Sequence, residues 1–333
     1  MFASLSRAAR RRVLAGAAAL LAVCGVLAWW LMPFGSPAPS GSVTFSTGVS
    51  TGVYQRYGDL LKQDLAQDLP DVSITLKESE GSQQNVQRVA NGEADFTVAT
   101  ADAVAQYQRE RRPGWERLRG CARLYDDYVQ IVVRKGSELR NVRDLRGLRV
   151  GVGQDRSGVR LIADRVLAAA GLTPDRDVVP VSAGIDTMPG LLERGELDAF
   201  FWSGGLPTQA VQVLSERFPI RLLALDAALI DRLHAVGDST TRHYRSAVIP
   251  AEAYAKAQDG RPIETLAVAN LLVTTVEADD DLVEGFTRTV IGSRDRIGRQ
   301  VHPAQLVDLR TAIYTEPLTL HDGARRYYRS VKP

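Results

Sequence analysis

Two glycine-rich turns hold the residues of this chain best suited to chemistry. Gly48-Val-Ser50-Thr-Gly52 has the Gly-x-Ser-x-Gly spacing of a nucleophile elbow, in which a serine hydroxyl is exposed at a sharp strand-to-helix turn. Such a serine needs a base, and none of the four histidines (His234, His243, His302 and His321) stands in a base motif. It also needs earlier strands to supply an oxyanion-hole loop, whereas the strand leading into Gly48 is the first of the folded part. Two other readings fit the same residues: a tight glycine turn, or a ligand turn. In the second, helix-start amides and the Ser50 and Thr51 hydroxyls face an anionic or polar solute.

The other turn, Gly151-Val-Gly153-Gln-Asp-Arg156-Ser157-Gly158, approaches a dinucleotide fingerprint, but Arg156 occupies the third glycine position. A side chain there blocks the close approach of helix and pyrophosphate. Arg156 suits a carboxylate instead, with the Ser157 hydroxyl and local amides, or it is a solvated surface arginine. Ser82 reads as the N-cap of a helix opening at the same end of the sheet as Gly48–Gly52. Ser203-Gly204-Gly205 follows a strand and opens another helix, so Gly204 is placed to let backbone approach a ligand, or simply to turn. Tyr125, Asp126, Asp127 and Tyr128 read as hinge or surface residues with one tyrosine reaching a cleft. No Cys-x-x-Cys, His-Glu-x-x-His or EF-hand spacing occurs, so no metal and no cofactor are expected.

The elements that must position these turns repeat. A strand, a glycine turn and a helix at Val43–Asp68 precede a strand at Asp71–Leu76 and a helix closing into Asn91-Gly-Glu-Ala-Asp-Phe96. Leu148–Gly153 begins the same series, which closes into Arg194-Gly-Glu-Leu-Asp-Ala-Phe200. Gly48 to Gly92 and Gly151 to Gly195 are the same distance apart in the chain, which places the two series in register. Apolar Tyr57, Leu60, Leu61 and Leu65 in one helix, and Val159, Ile162, Val166 and Leu167 in the other, recur at helical period. Alternating strands and helices predict parallel sheet covered by helices, an α/β class with two lobes and a cleft between them. Tyr128–Val133 and Leu266–Thr275 read as strands by which the chain crosses between lobes. From Leu223 to Asp259 the pattern is weak, and from Asp280 onward it is helical.

The chain has 333 residues and is 45% apolar, enough for a sizeable core and two domains. Arg7, Arg10, Arg11 and Arg12 lie in a basic flank, 1–12, ahead of an apolar run over 13–34 that includes Trp29 and Trp30. That run is long enough to span a bilayer with the flank cytoplasmic, as an uncleaved transmembrane anchor or as a cleaved signal. Residues 35–42 are a Gly/Ser/Pro linker. Cys24 lies inside the apolar run and Cys121 has no partner, so no disulfide is expected. Lys+Arg total 41 against 39 acidic residues, or 37 against 39 without the leading arginines. This balance, with no basic stripe, argues against nucleic acid as a partner.

These turns together resemble the TAXI family, solute receptors of tripartite ATP-independent periplasmic (TRAP) transporters. Members carry Thr-Gly-Gly-Thr-Gly-Gly-(Thr/Val)-Tyr where this chain has Thr47-Gly48-Val49-Ser50-Thr51-Gly52-Val53-Tyr54. Ser79-Glu-Gly-Ser82 through Asn91-Gly-Glu-Ala-Asp95, the turn Arg156-Ser157-Gly158-Val159, and Leu320-His321-Asp322-Gly323-Ala324 through Tyr327-Tyr328-Arg329 resemble three further family motifs in order. Val49 and Thr51 stand at family glycines, Val159 at a threonine and Asp322 at a proline.

The resemblance implies a type II periplasmic-binding-protein fold with a two-strand hinge, closing on an amino or organic acid such as glutamate or 2-oxoglutarate. Residues 43–131 plus 266–333 are expected to form lobe one and 132–265 lobe two. The expected ligand-binding set is Gly48, Ser50, Thr51, Gly52, Tyr54 and Ser82 from lobe one, with Arg156, Ser157, Gly158 and Gly204 from lobe two. The expected function is capture of a small, acidic solute at the extracytoplasmic face of the cell membrane, by a monomer, for a TRAP permease; a cleaved signal would make it secreted. A ligand-binding sensor subunit for a membrane kinase is the alternative, and a serine hydrolase using Ser50 the third reading.

Overall fold

The computed structural model describes residues 7–31 and 38–332, and in the first stretch the side chains of 14–26. The chain divides into two units, Met1–Ala38 and Pro39–Pro333. The first contains a helix, Arg7–Leu31, whose Leu14, Leu20, Leu21, Val23 and Val26 are exposed. Among the described residues no helix is long and apolar enough to cross a membrane. The span expected over 13–34 falls partly outside the described residues and is not shown.

The second unit is built on one ten-stranded mixed sheet. Its strands are β1 (Gly41–Ser46), β2 (Val72–Lys77), β3 (Phe96–Thr100), β4 (Leu118–Arg134), β5 (Arg149–Gly151), β6 (Val179–Val181), β7 (Ala199–Gly204), β8 (Ile220–Leu223), β9 (Tyr244–Ile249) and β10 (Ile263–Thr275). The order is β2-β1-β3-β10-β4-β7-β5-β6, with β8 also on β4 and β9 also on β10. The first half of the sheet, β2-β1-β3, and the second, β6-β5-β7, are parallel triplets of the same topology, each with its first strand in the middle. The repeat in the chain is thus a repeat in space. In such triplets the loops at the carboxyl ends of the strands lie where strand order reverses, the usual place for a ligand.

β4 and β10 join the halves. Leu118–Tyr128 pairs antiparallel with Ala267–Thr275, and Tyr128–Val133 then pairs with β7. Likewise Asn270–Val273 pairs with β3, while Ile263–Val268 pairs with β9. Both strands are longer than the sequence predicts. Polar Asp126 and Asp127 interrupt the apolar signal of β4, yet both are buried within it. Gly120 in the same strand is set by close approach: a Cβ there would lie 2.4 Å from Thr315 Cβ.

Apolar burial holds each half separately. The Val53–Asp68 helix puts Tyr57, Leu61 and Leu65 into a core with Phe45, Phe96, Phe286 and Tyr328. Phe96 and Phe286 stack with centroids 4.1 Å apart, so the helix Asp280–Gly292 covers the first half. In the second half the helix Gly158–Ala169 buries Val159, Ile162, Val166 and Leu167 against Val150, Phe201 and Val268. The segment without a clear pattern in the sequence begins at the last residue of β8 and contains the helix Ala227–Val236, β9 and the short helix Ala255–Gln258. β9 was hidden because it is buried at Tyr244 and Ile249, with its interior positions exposed or half-buried.

Candidate functional site

The turns after β1, β2, β5 and β6 meet the carboxyl ends of β3 and β7 and Asp127 of β4 around one cavity. Its volume is about 60 Å³. Gly48, Gly52, Tyr54 and Ser82 line it from the first half; Ser157, Gly158 and Gly204 line it from the second. Of the other residues predicted for the site, Ser50 faces an adjoining shallow depression. Thr51 is exposed and lines neither, and Arg156 is on neither wall.

Each half contributes through local geometry. Gly52 precedes the Val53–Asp68 helix with extended backbone, and a Cβ there would press on the Val49 carbonyl at 3.0 Å. Two residues on, the Tyr54 hydroxyl donates to Asn270 Oδ1 of β10 and lies 3.1 Å from Ser82 Oγ. Burial holds that phenol well above its usual range, and the charge of Asp127 adds to this. Ser82 is not the N-cap. Gly81 is, at φ 132°, and Ser82 begins the helix Ser82–Ala90. Its hydroxyl instead accepts the Thr100 amide at 3.2 Å, so it ties the turn to β3.

Across the cavity Ser157 caps the helix Gly158–Ala169. Its Oγ accepts from the Arg160 amide at 3.1 Å and donates to the Gln154 carbonyl at 2.6 Å. The proton of that hydroxyl is thus committed to the turn. Gly204 owes its identity to Trp202, whose Nε1 would lie 2.5 Å from an added Cβ.

Arg156 does something the sequence does not indicate. Its Nε donates to Glu80 Oε1 at 3.0 Å and its amide to Glu80 Oε2 at 3.1 Å, across the rim of the cavity. The Arg156 hydrogen bond holds the Glu80 carboxyl below its usual range. The Gln84 amide donates to the Arg156 carbonyl at 3.0 Å and Gln83 Nε2 to the Ser157 carbonyl at 2.7 Å. The predicted carboxylate site at Arg156 is thus a clasp between the halves, with its charge already matched.

Deeper, a polar cluster joins the two halves. Asp102, at the start of the helix Ala101–Arg109, accepts from the Tyr244 hydroxyl at 2.6 Å and from Arg165 Nη1 at 3.3 Å. Arg165 also donates to Gln106 Oε1 at 2.7 Å and to Thr240. Nothing in local spacing links residues 63 and 142 positions from Asp102.

Asp127 was also missed. It lines the cavity, is 4% exposed, and its Oδ1 has no hydrogen-bond partner. Burial pushes its carboxyl up to about 7; the Asn270 side chain opposes this and the Asp102 charge adds to it. The sequence signal was two adjacent acids entering an apolar strand, where alternation sends one to each face. Among the described residues no histidine lines this cavity or the depression beside Ser50, and no group of three or more His, Cys, Asp or Glu could hold a metal ion.

A mixed α/β sheet of two like halves, joined by two long strands and enclosing a cavity at their carboxyl ends, is a periplasmic-binding-protein-like fold. Two solved structures agree in fold. A periplasmic transporter shares 14% identity, with 88% of this chain and 93% of that chain covered and a TM-score of 0.54. A putative L-cystine ABC transporter from Listeria monocytogenes shares 12%, covering 80% and 98%, with a TM-score of 0.50. The alkanesulfonate-binding protein SsuA from Xanthomonas axonopodis pv. citri shares 19%, covering 89% and 84%, with a TM-score of 0.48. At these identities the first two show a likeness of fold alone. The family is shown by sequence: the model of the NMT1-like family matches residues 45–331, and the chain belongs to that family.

Proposed function

We propose that this chain is an extracytoplasmic receptor that captures a small solute between the halves of its sheet and presents the closed form to a membrane partner. The observation that carries this is the cavity walled from both halves and bridged at its rim by Glu80–Arg156 and Gln83–Ser157. A solute touching both walls binds the closed arrangement better than an open one. Differential affinity of that kind shifts a hinge equilibrium and needs no chemistry.

Several features support the finer reading. The family membership and the fold agree with a solute-binding role in transport, and the resemblance of the turns to TAXI receptors supports a TRAP permease as the partner. The basic flank 1–12 and the exposed apolar side chains of the helix Arg7–Leu31 support export and attachment to the membrane. Such a tether also favours the second reading, a sensor subunit reporting to a membrane kinase, because a transport receptor gains from free diffusion. The serine-hydrolase reading lacks support at Ser50, which has no histidine beside it. The acidic-solute reading drew on Arg156 and on the TAXI resemblance; Glu80 takes the Arg156 charge, so the resemblance alone supports it.

The test is thermal unfolding of the full chain, refolded to strip carried-over ligand, against amino acids, amines, dicarboxylates, 2-oxo acids and sugars. A solute at a hundred times its dissociation constant adds about 2.7 kcal/mol. Stabilisation by one class supports the receptor reading, and silence across all classes overturns it.

A further inference from the structure

Resting on the receptor reading, we propose that the solute carries a protonated amino group and that Asp127 is its counter-charge. Four aspartates of the described fold are buried: Asp64, Asp102, Asp126 and Asp127. Three of them have an arginine. Arg296 lies 2.8 Å from Asp64, Arg165 3.3 Å from Asp102, and Arg123 2.6 Å from Asp126, which Arg245 also meets. Asp127 has no cation within reach among the described residues, and it is the one that lines the cavity. An isolated buried carboxylate is costly, and the fold elsewhere matches each with a guanidinium. At Asp127 the matching charge is left for the solute to bring.

The rest of the wall points the same way. Glu80 and Asp127 are its charged residues, and among the described residues no Lys, Arg or His lines it. The Thr100 Oγ1, Gln154 Oε1 and Ser203 Oγ atoms, on residues that line the same cavity, lack hydrogen-bond partners. These oxygens and the carboxylate can all accept, and an ammonium offers three donors and no acceptor. An anionic solute would instead face Asp127 with no cation on the wall to offset it, since Arg156 is taken by Glu80. Val49, Val53, Val159, Ile185 and Trp202 leave an apolar side for the body of the solute.

The probes are butylammonium, putrescine, leucine and glutamate as amine-bearing solutes, with succinate and 2-oxoglutarate as amine-free ones. The readout is calorimetric binding to the full chain and to Asp127→Asn. We expect an amine-bearing probe to bind the unsubstituted chain and to weaken at least about thirtyfold in Asp127→Asn, the scale of losing one partner of a buried charge pair. Butylammonium or putrescine binding would show that the amine suffices; leucine or glutamate alone would show that a carboxylate is needed beside it; either supports the inference.

The pH profile is a second readout. The groups acting on Asp127 are Tyr54, Tyr125, Asp102 and Asn270, with Glu80 on the same wall, and none of them supplies a cation. An ammonium needs the ionised carboxyl, so affinity should fall about tenfold per pH unit below about 7 and level off above it. Tightening as pH falls, which a protonated Asp127 donating to an acid would produce, overturns the inference. So does binding confined to succinate or 2-oxoglutarate, or amine binding unchanged in Asp127→Asn. In those cases the receptor reading stands; if no probe binds and no other solute class stabilises the chain, both fall.

Discussion

Arg156 and Glu80 hold each other across the rim of the cavity, the arginine meeting one carboxylate oxygen with its side chain and the other with its own amide. The pair belongs to the closed arrangement of the two halves and to neither half alone. Its side chains are 53% and 29% exposed, so solvent screens much of its charge. Exposed pairs of this kind are worth about 0–1 kcal/mol.

Arg156→Ala should therefore weaken solute binding less than about fivefold, whatever the solute class, because it loosens closure and touches no ligand. Glu80→Ala should act alike, and the double variant should cost little more than either single one. Binding measured for the three variants forms a double-mutant cycle. Loss of binding only for acidic solutes, and only in Arg156→Ala, would restore the anion site that the sequence suggests.

Asp127 also sets how stability varies with pH. Its carboxyl, near 7 in the fold, lies far above the ordinary range of an aspartate, so between about pH 4 and 7 the folded state retains a proton the unfolded chain has released. The ligand-free protein should therefore lose stability as pH rises through that window. Asp127→Asn removes the penalty and should be the more stable of the two at pH 8, although it binds worse. Denaturant titrations at pH 5 and pH 8 check this. Equal stability differences at both pH values would mean that Asp127 ionises freely in the fold.

Much of the architecture was legible because the same physics acted twice. A strand, a glycine turn and an amphipathic helix leave their period in the chain, and the equal spacing from Gly48 to Gly92 and from Gly151 to Gly195 marked two like units. Positions at the turns were legible for the same reason, since Gly48, Gly52, Ser157 and Gly158 sit where a strand gives way to a helix. What their side chains do was less so. Ser82 reads as a cap because a serine before a helix usually is one, yet Gly81, free to adopt φ 132°, takes that position and releases the hydroxyl to β3. Arg156 reads as an open cation because its partner is 76 residues away. Asp126 and Asp127 look alike in the chain. Only the pairing of β4 with its neighbours separates the one that meets Arg123 and Arg245 from the one that meets the cavity.

The cluster of Asp102, Arg165 and Tyr244 should matter chiefly to stability. Arg165 is 13% exposed and Asp102 is fully buried, so removing the arginine leaves an unmatched charge. Arg165→Ala should cost about 3–5 kcal/mol of folding stability. Tyr244→Phe, which removes one hydrogen bond to a charged group, should cost about 1.5–3 kcal/mol. Because the two share Asp102, their effects should not add. Urea titration of the single and double variants checks both magnitudes, and additive losses would show that the three residues do not act as one network.

Gly81 offers the sharpest test of closure. Its backbone lies at φ 132°, where side chains are strained, and an added Cβ would sit 3.3 Å from Ser157 Cα on the opposite wall. The strain falls on any state that keeps this turn, but the contact with Ser157 exists only when the halves meet. Gly81→Ala should thus lower stability by about 1–3 kcal/mol and, separately, shift the hinge toward the open arrangement. Small-angle scattering should then report a larger radius of gyration for the variant than for the unsubstituted chain at saturating solute, with the two alike when solute is absent. If the variant contracts on solute addition as fully as the unsubstituted chain does, the Gly81–Ser157 approach is not part of closure, and the rim contacts of Arg156 and Gln83 must carry it alone.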